Sequence, residues 1–157
     1  MSALQLLRDD HKTVLELFRR YEDSVPGGDG LKASITQKIA QELSVHSELE
    51  ERIFYPAFQK AAHERGDVRA LAFVIDFQDT HAEIDRLVRD VRSIGANAAD
   101  FELTSLILDV RGHIEEEEKD MFPLAESLLA DADEELGREM ERMKNELLSQ
   151  EHRRGAA

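Results

Sequence analysis

The chain has 157 residues, the size of one ordinary domain, and no cysteine, which excludes disulfides, thiolate metal sites, thiol catalysis and cysteine-ligated iron–sulfur clusters. Its formal net charge of −14 argues against nucleic acid and anionic membranes, which select clustered Lys and Arg. No apolar run approaches the roughly 18 residues of a membrane span, and MSALQLLRDDHK is no secretory signal, so the expected address is the cytoplasm.

A first helix is predicted near residues 2–24, with Leu4, Leu7, His11, Val14, Phe18 and Tyr21 along one face at 3- and 4-residue spacing. The breakers Pro26-Gly27-Gly28-Asp29-Gly30 mark a loop. A second helix near 31–62 carries Ile39, Leu43, His46, Glu50, Ile53 and Ala57 inward, and His63 to Asp67 reads as the next loop. The third, near 68–93, presents Val74, Phe77, His81, Ile84, Val88 and Val91. After Gly95-Ala96-Asn97-Ala98, a fourth helix near 100–122 presents Leu103, Leu106, Val110, His113, Glu117 and Met121, with Leu124 continuing the stripe. Pro56 and Pro123 are expected to kink or end the second and fourth helices, because proline removes a helix hydrogen bond. A shorter fifth segment near 132–150 carries Leu136, Met140, Met143 and Leu147, a stripe suited to packing on the outside. The expected fold is all-α. It is an antiparallel up-down four-helix bundle over about 2–128 with a short extra C-terminal helix, a single domain spanning 1–157.

Each inward stripe is apolar except for histidine and glutamate, and each contains one histidine. A lone histidine on such a face is an ordinary hydrogen-bonded core residue; four, one per helix, are not readily explained that way. Glu50 and Glu117 sharpen the argument, since a buried carboxylate without a partner costs several kcal/mol. No Lys or Arg interrupts the stripes, so a metal cation is the economical counter-charge. His46-x-x-x-Glu50 and His113-x-x-x-Glu117 set both side chains on one helix face, about 40° and one turn apart. Imidazole with carboxylate and no thiolate suits iron or manganese and tolerates zinc. Two carboxylates for four histidines suggest two ions bridged by the carboxylates, with positions left open for a small molecule.

HSELEERIFYP (46–56) aligns without a gap to HIEEEEKDMFP (113–123), with His first, Glu fifth and sixth, and Pro eleventh. His11 and His81 lie 35 and 32 residues upstream of their respective motifs. The chain reads as two helical hairpins related by a pseudo-two-fold, each supplying half of one site. Glu51, Glu115, Glu116 and Glu118 point away by helical phase and read as solvated surface. Asp10 and Asp79 read as helix caps or as partners holding a histidine ring. His63 and His152 fall in a loop and the tail, outside the ligand set, and Tyr21 and Tyr55 read as core packing in preference to bordering the metal pocket.

This order of motifs, with an aromatic-Pro pair closing each (Tyr55-Pro56, Phe122-Pro123), resembles the haemerythrin-like, HHE cation-binding family over about residues 4–128. The resemblance implies the ligands His11, His46, Glu50, His81, His113 and Glu117. It implies as cofactor two non-haem iron ions, carboxylate- and oxo-bridged, that meet a diatomic or peroxide ligand. Oxygen carriers of that family have a fifth histidine one turn beyond the third-helix ligand. Here Asp85 occupies the place, read as facing solvent rather than as a weak ligand, which favours reaction with a small oxidant over reversible oxygen carriage. The first reading is therefore a peroxide-consuming, catalase-like di-iron protein. The alternative is an oxygen, nitric oxide or iron sensor without turnover. A monomer or small homo-oligomer is expected, with no nucleic-acid or membrane partner.

Overall fold

The computed structural model describes residues 1–24, 30–95 and 99–155. The expected loops at 26–29 and 96–98 lie outside the described residues. Helix α1 (Ala3–Glu22) begins at Ser2, whose hydroxyl accepts the Gln5 N–H, an N-cap that satisfies one of the free donors of the first turn. The second rod comprises α2 (Leu31–Leu49), a π-helical turn (Glu50–Phe54) and α3 (Tyr55–Glu64). The third is α4 (Val68–Ile94). The fourth repeats the second, as α5 (Asp100–Glu116), a π-helical turn (Glu117–Met121) and α6 (Phe122–Leu128). The fifth is α7 (Asp133–Gly155).

Between the second and third rods the chain turns over three residues, because His63 and Glu64 complete the last turn of α3. Gly66 takes φ 63°, a left-handed conformation that costs glycine nothing, and Asp67 caps α4 by accepting the Ala70 N–H at 3.0 Å. The four rods pack antiparallel: Asp10 faces His46 across the first pair, Tyr21 reaches Asp100, and Arg8 reaches Glu126. All described regular structure is helical, the all-α bundle that the periodicities indicate.

The prolines do not end their rods. Pro56 and Pro123 each follow a π turn, in which Tyr55 N–H bonds Glu50 C=O and Phe122 N–H bonds Glu117 C=O, five residues back rather than four. The wider turn accommodates the missing N–H and the bulk of the proline ring. It also inserts one extra residue into the helical phase. Beyond it the buried positions are Phe58 and Ala125, and the expected Ala57 and Leu124 are only half-buried.

Two apolar blocks fill the bundle. One gathers Leu4, Leu7, Leu49, Phe54, Phe58, Phe77 and Phe122, and the other Val14, Phe18, Ile39, Leu43, Ile84, Leu103 and Val110. Between them lies a waist of buried ionisable side chains. Helix α7 packs outside against α1 and α2, burying Met140 and half-burying Leu136, Met143 and Leu147, the stripe read from their spacing. No described helix is long and apolar enough to cross a membrane.

Candidate metal centre

The waist contains all six sequence-derived ligand candidates. His11 comes from α1, His46 from α2, His81 from α4 and His113 from α5, while Glu50 and Glu117 open the two π turns. Both carboxylates are fully buried and the four rings nearly so. The donor atoms fall into two groups whose members lie within 4.8 Å of one another: His11, His46, Glu50 and Glu117, and Glu50, His81, His113 and Glu117. Each group takes one histidine from each helix of a hairpin, and both groups share the two glutamates. His11 Nε2 lies 3.2 Å from Glu117 Oε1, His113 Nε2 lies 3.4 Å from Glu117 Oε2, and His46 Nε2 meets Glu50 Oε1. The Nε2 atoms of His81 and His113 face each other at 3.0 Å.

Four of these inward atoms, His11 Nε2, His46 Nε2, Glu50 Oε1 and Glu117 Oε1, together with Glu50 Oε2, are buried with no well-formed hydrogen bond. Buried polar atoms are ordinarily satisfied. Imidazole nitrogens and carboxylate oxygens converging without partners match the donor set of a divalent cation that accepts nitrogen and oxygen. The residues present therefore fit bound metal.

A family model described as the haemerythrin HHE cation-binding domain matches residues 2–125. The chain belongs to that family. Among solved structures, a haemerythrin HHE cation-binding domain-containing protein from Mycobacterium kansasii superposes with a TM-score of 0.74 at 19% identity, covering 94% of this chain and 87% of that one. At that identity the likeness speaks to fold. A curated DNA nickase of Nostoc sp. is 27% identical over 128 residues, 78% of this chain. The chain spans about a third of that relative's length, 33%.

The haemerythrin-like centre has an outer ring of carboxylates. His11 Nδ1 lies 3.1 Å from Glu118 Oε1, His81 Nδ1 3.2 Å from Glu51 Oε1, and His46 Nδ1 3.3 Å from Asp10 Oδ2. A carboxylate accepts from Nδ1–H, which leaves the Nε2 lone pair directed inward, so these partners select the ligating tautomer. Glu51 and Glu118 are thus not free surface groups, contrary to their phase in an ideal helix. Each is the second residue of a π turn, and its carboxylate reaches a histidine of the opposite hairpin. Asp10 takes the ring-holding role that was one of its two readings, while Asp79 is exposed. Glu115 and Glu116 point outward as expected, and His63 and His152 are exposed and distant from the waist. Tyr21 packs in the far block, its hydroxyl donating to Asp100 at 2.6 Å.

Tyr55, read as core packing in preference to a place at the pocket's border, stands at the border. Five residues after Glu50, it is carried onto the same face by the π turn, and its hydroxyl donates to Glu117 Oε2 at 2.7 Å. The same oxygen lies 3.0 Å from His81 Nε2 and 3.3 Å from His113 Nε2, which places it against the second group alone. In the other half Phe122 holds the equivalent position and stacks flat on His11 at 5.6 Å. The pseudo-two-fold breaks again at Asp10, whose counterpart is Thr80, bonded to its own helix backbone, and His113 Nδ1 is left without a partner.

Burial disfavours a charged ring, yet Glu50 and Asp10 outweigh it and hold His46 well above its ordinary value. Burial is likewise outweighed at His11 by Glu117 and Glu118, and at His113 by Glu117, so both are raised. At His81 burial wins and the ring is lowered. Burial would raise Glu117, but the close approach of Glu50, His11 and His113 brings it well below the usual carboxylate range. Burial, then Glu117 and Glu50, push the Tyr55 phenol well up, so its hydroxyl stays a proton donor. Asp85 lies outside both donor groups and does not face open solvent. It is half-buried beside Glu51 and Ser47, and burial with the Glu51 carboxylate pushes it up to about 6.

Proposed function

We propose that this haemerythrin-like chain holds two iron ions and reacts with a small oxidant, peroxide above all. The observation that carries the reading is the sharing of Glu50 and Glu117 by two four-residue donor groups. His11 and His46 would hold one ion, His81 and His113 the other, with the glutamates common to both. Metal bound there supplies Lewis acidity and one-electron redox change.

The protein's own contribution is selection and positioning. A cavity against the four histidines, walled by Val14, Leu43, Ser47, Ile84, Val110 and Ile114, has about 10 Å³ of room for water-sized molecules. That is space for about one water, which suits a reactant of very few atoms and leaves no room for a larger organic substrate. On the opposite side Tyr55 Oη holds a proton 2.7 Å from Glu117. With Asp85 where oxygen carriers have a histidine, one nitrogen donor fewer surrounds the centre. The balanced reaction takes two hydrogen peroxide to two water and one dioxygen.

The proposed setting is the cytoplasm, as a monomer or small homo-oligomer without nucleic acid or membrane. The net charge of −14 disfavours DNA, and the nicking in the name of the Nostoc relative is not extended to a chain one third its length. Iron-loaded protein should evolve oxygen from peroxide faster than the same iron free in buffer, and form only short-lived oxygen adducts. Asp85→His should slow peroxide turnover and lengthen the adduct's life. A long-lived, reversible oxygen complex with no peroxide consumption above free iron would replace this reading with a carrier or sensor.

A further inference from the structure

Helix α7 lies beyond residues 2–125 that the family model matches, yet it reaches the centre. Lys144 Nζ donates to Asp10 Oδ1, and the other oxygen of the same carboxylate accepts from His46 Nδ1 at 3.3 Å. Asp10 is 4% exposed and the Lys144 side chain 27%, so the pair is largely withdrawn from water, where charge-assisted hydrogen bonds strengthen. The other outer carboxylates differ. Glu51 and Glu118 have side chains 34% and 40% exposed, and water solvates them without a buried cation.

We propose that Lys144 is a positioning residue of the metal centre: from the C-terminal helix it clamps Asp10 against His46 and so aims the His46 Nε2 lone pair inward. Without the ammonium, a buried Asp10 has only the imidazole to balance it, and the carboxylate loses the contact that fixes its rotation. The clamp is separable from the docking of α7. That helix is seated independently by Gly137 against the backbone of Met1 to Ala3, by Asp133 Oδ1 accepting the Leu4 N–H at 3.1 Å, and by buried Met140. The clamp also makes the halves unequal, because His113, the counterpart of His46, has no such support.

The inference rests on the metal reading of the site, and its test separates the two. Full-length Lys144→Met, which keeps the stem but not the charge, is compared with Lys144→Arg, Asp10→Asn and the double variant Asp10→Asn/Lys144→Met. Glu151→Gln, which removes a partly buried α7 pair with Arg92 that does not involve Asp10, serves as the control. Affinity is measured by iron(II) and cobalt(II) competition against a chelator. The loss of an outer partner typically weakens a site about 10- to 100-fold. Lys144→Met should lie near tenfold for one of the two equivalents, with Lys144→Arg restoring most of it and Glu151→Gln changing nothing. On the Asp10→Asn background, Lys144→Met should add less than about twofold. In metal-free protein above the pH of the His46 titration, nitrogen-15 imidazole spectra should show His46 shifting from pure Nδ1–H to a tautomer mixture in Lys144→Met, the other waist histidines unmoved. An unchanged His46 tautomer, equal losses in the Met and Arg variants, or additive losses with Asp10→Asn would overturn the clamp. A wild-type chain that takes up no metal would overturn the proposed function and leave the tautomer test standing.

Discussion

Replacing Glu50 by Gln removes the negative charge and one of the two oxygens of a side chain that both four-residue groups share, while His81→Ala subtracts a donor from one. Glu50 is fully buried and glutamine is nearly isosteric, so the packing around Leu49 and Ile53 is preserved. Even an outer partner of a metal ligand is worth about 10- to 100-fold in affinity, or about 1.4 to 2.7 kcal/mol. A direct ligand is worth at least that. Glu50→Gln should therefore weaken both ions by at least about tenfold each, about 100-fold in the product of the two constants. His81→Ala should weaken one ion and leave the other within about twofold. The assay is metal-to-protein stoichiometry with chelator competition, run beside a helical circular dichroism signal that verifies folding. Equal loss of a single equivalent from both variants would refute the sharing of Glu50 and mean two independent sites.

Gly137 sits where an added Cβ would lie 2.7 Å from Ser2 C and 2.8 Å from Ala3 N, backbone that cannot swing aside as a side chain can. Gly137→Ala should cost about 1–3 kcal/mol of stability by overpacking, seen as a lower denaturation midpoint and faster proteolysis of α7; unchanged values would contradict the close approach. The metal-free protein should also respond to pH through its raised histidines. His11, His46 and His113 bind protons more tightly folded than unfolded, so their stabilisation is complete below about 6.5 and is lost as pH rises through their raised values. His81, lowered, acts in the opposite sense, one ring against three, and Glu117 and Asp10 contribute stability that disappears as pH falls through their lowered values. Metal must displace those protons, so affinity should increase with pH across the range in which metal-free stability declines, as paired titrations would show.

The bundle and the meeting of six inward His and Glu side chains at one level were legible because both depend on a spacing of three and four that the chain keeps for most of its length. His46 and His113 lie before each π turn and Glu50 and Glu117 open it, where the ideal phase still holds. What was illegible lies at or after it. Tyr55 turns its hydroxyl onto Glu117 and Phe58 replaces Ala57 in the core because one residue is added to the turn, while Glu51 and Glu118 reach the rings of the opposite hairpin from within it. The prolines signalled a disturbance without saying that the helix would absorb it by widening. Lys144 was invisible for another reason. Its partner Asp10 is more than 130 residues away in the chain, at a separation of 134, and only the docking direction of α7 brings them together.

The ionisable waist has a consequence for how the molecule melts. Two greasy blocks divided by a polar diaphragm share little apolar contact, so each could loosen on its own if nothing bound the diaphragm shut. The helices run through both blocks, but at the waist the links between hairpins are the glutamates and histidines themselves. Whatever neutralises those groups, protons or metal, is also what couples the blocks. Fully charged and unoccupied, the diaphragm is a seam along which one thermal transition can part into two. Loaded, it is a rivet, and the chain unfolds as one.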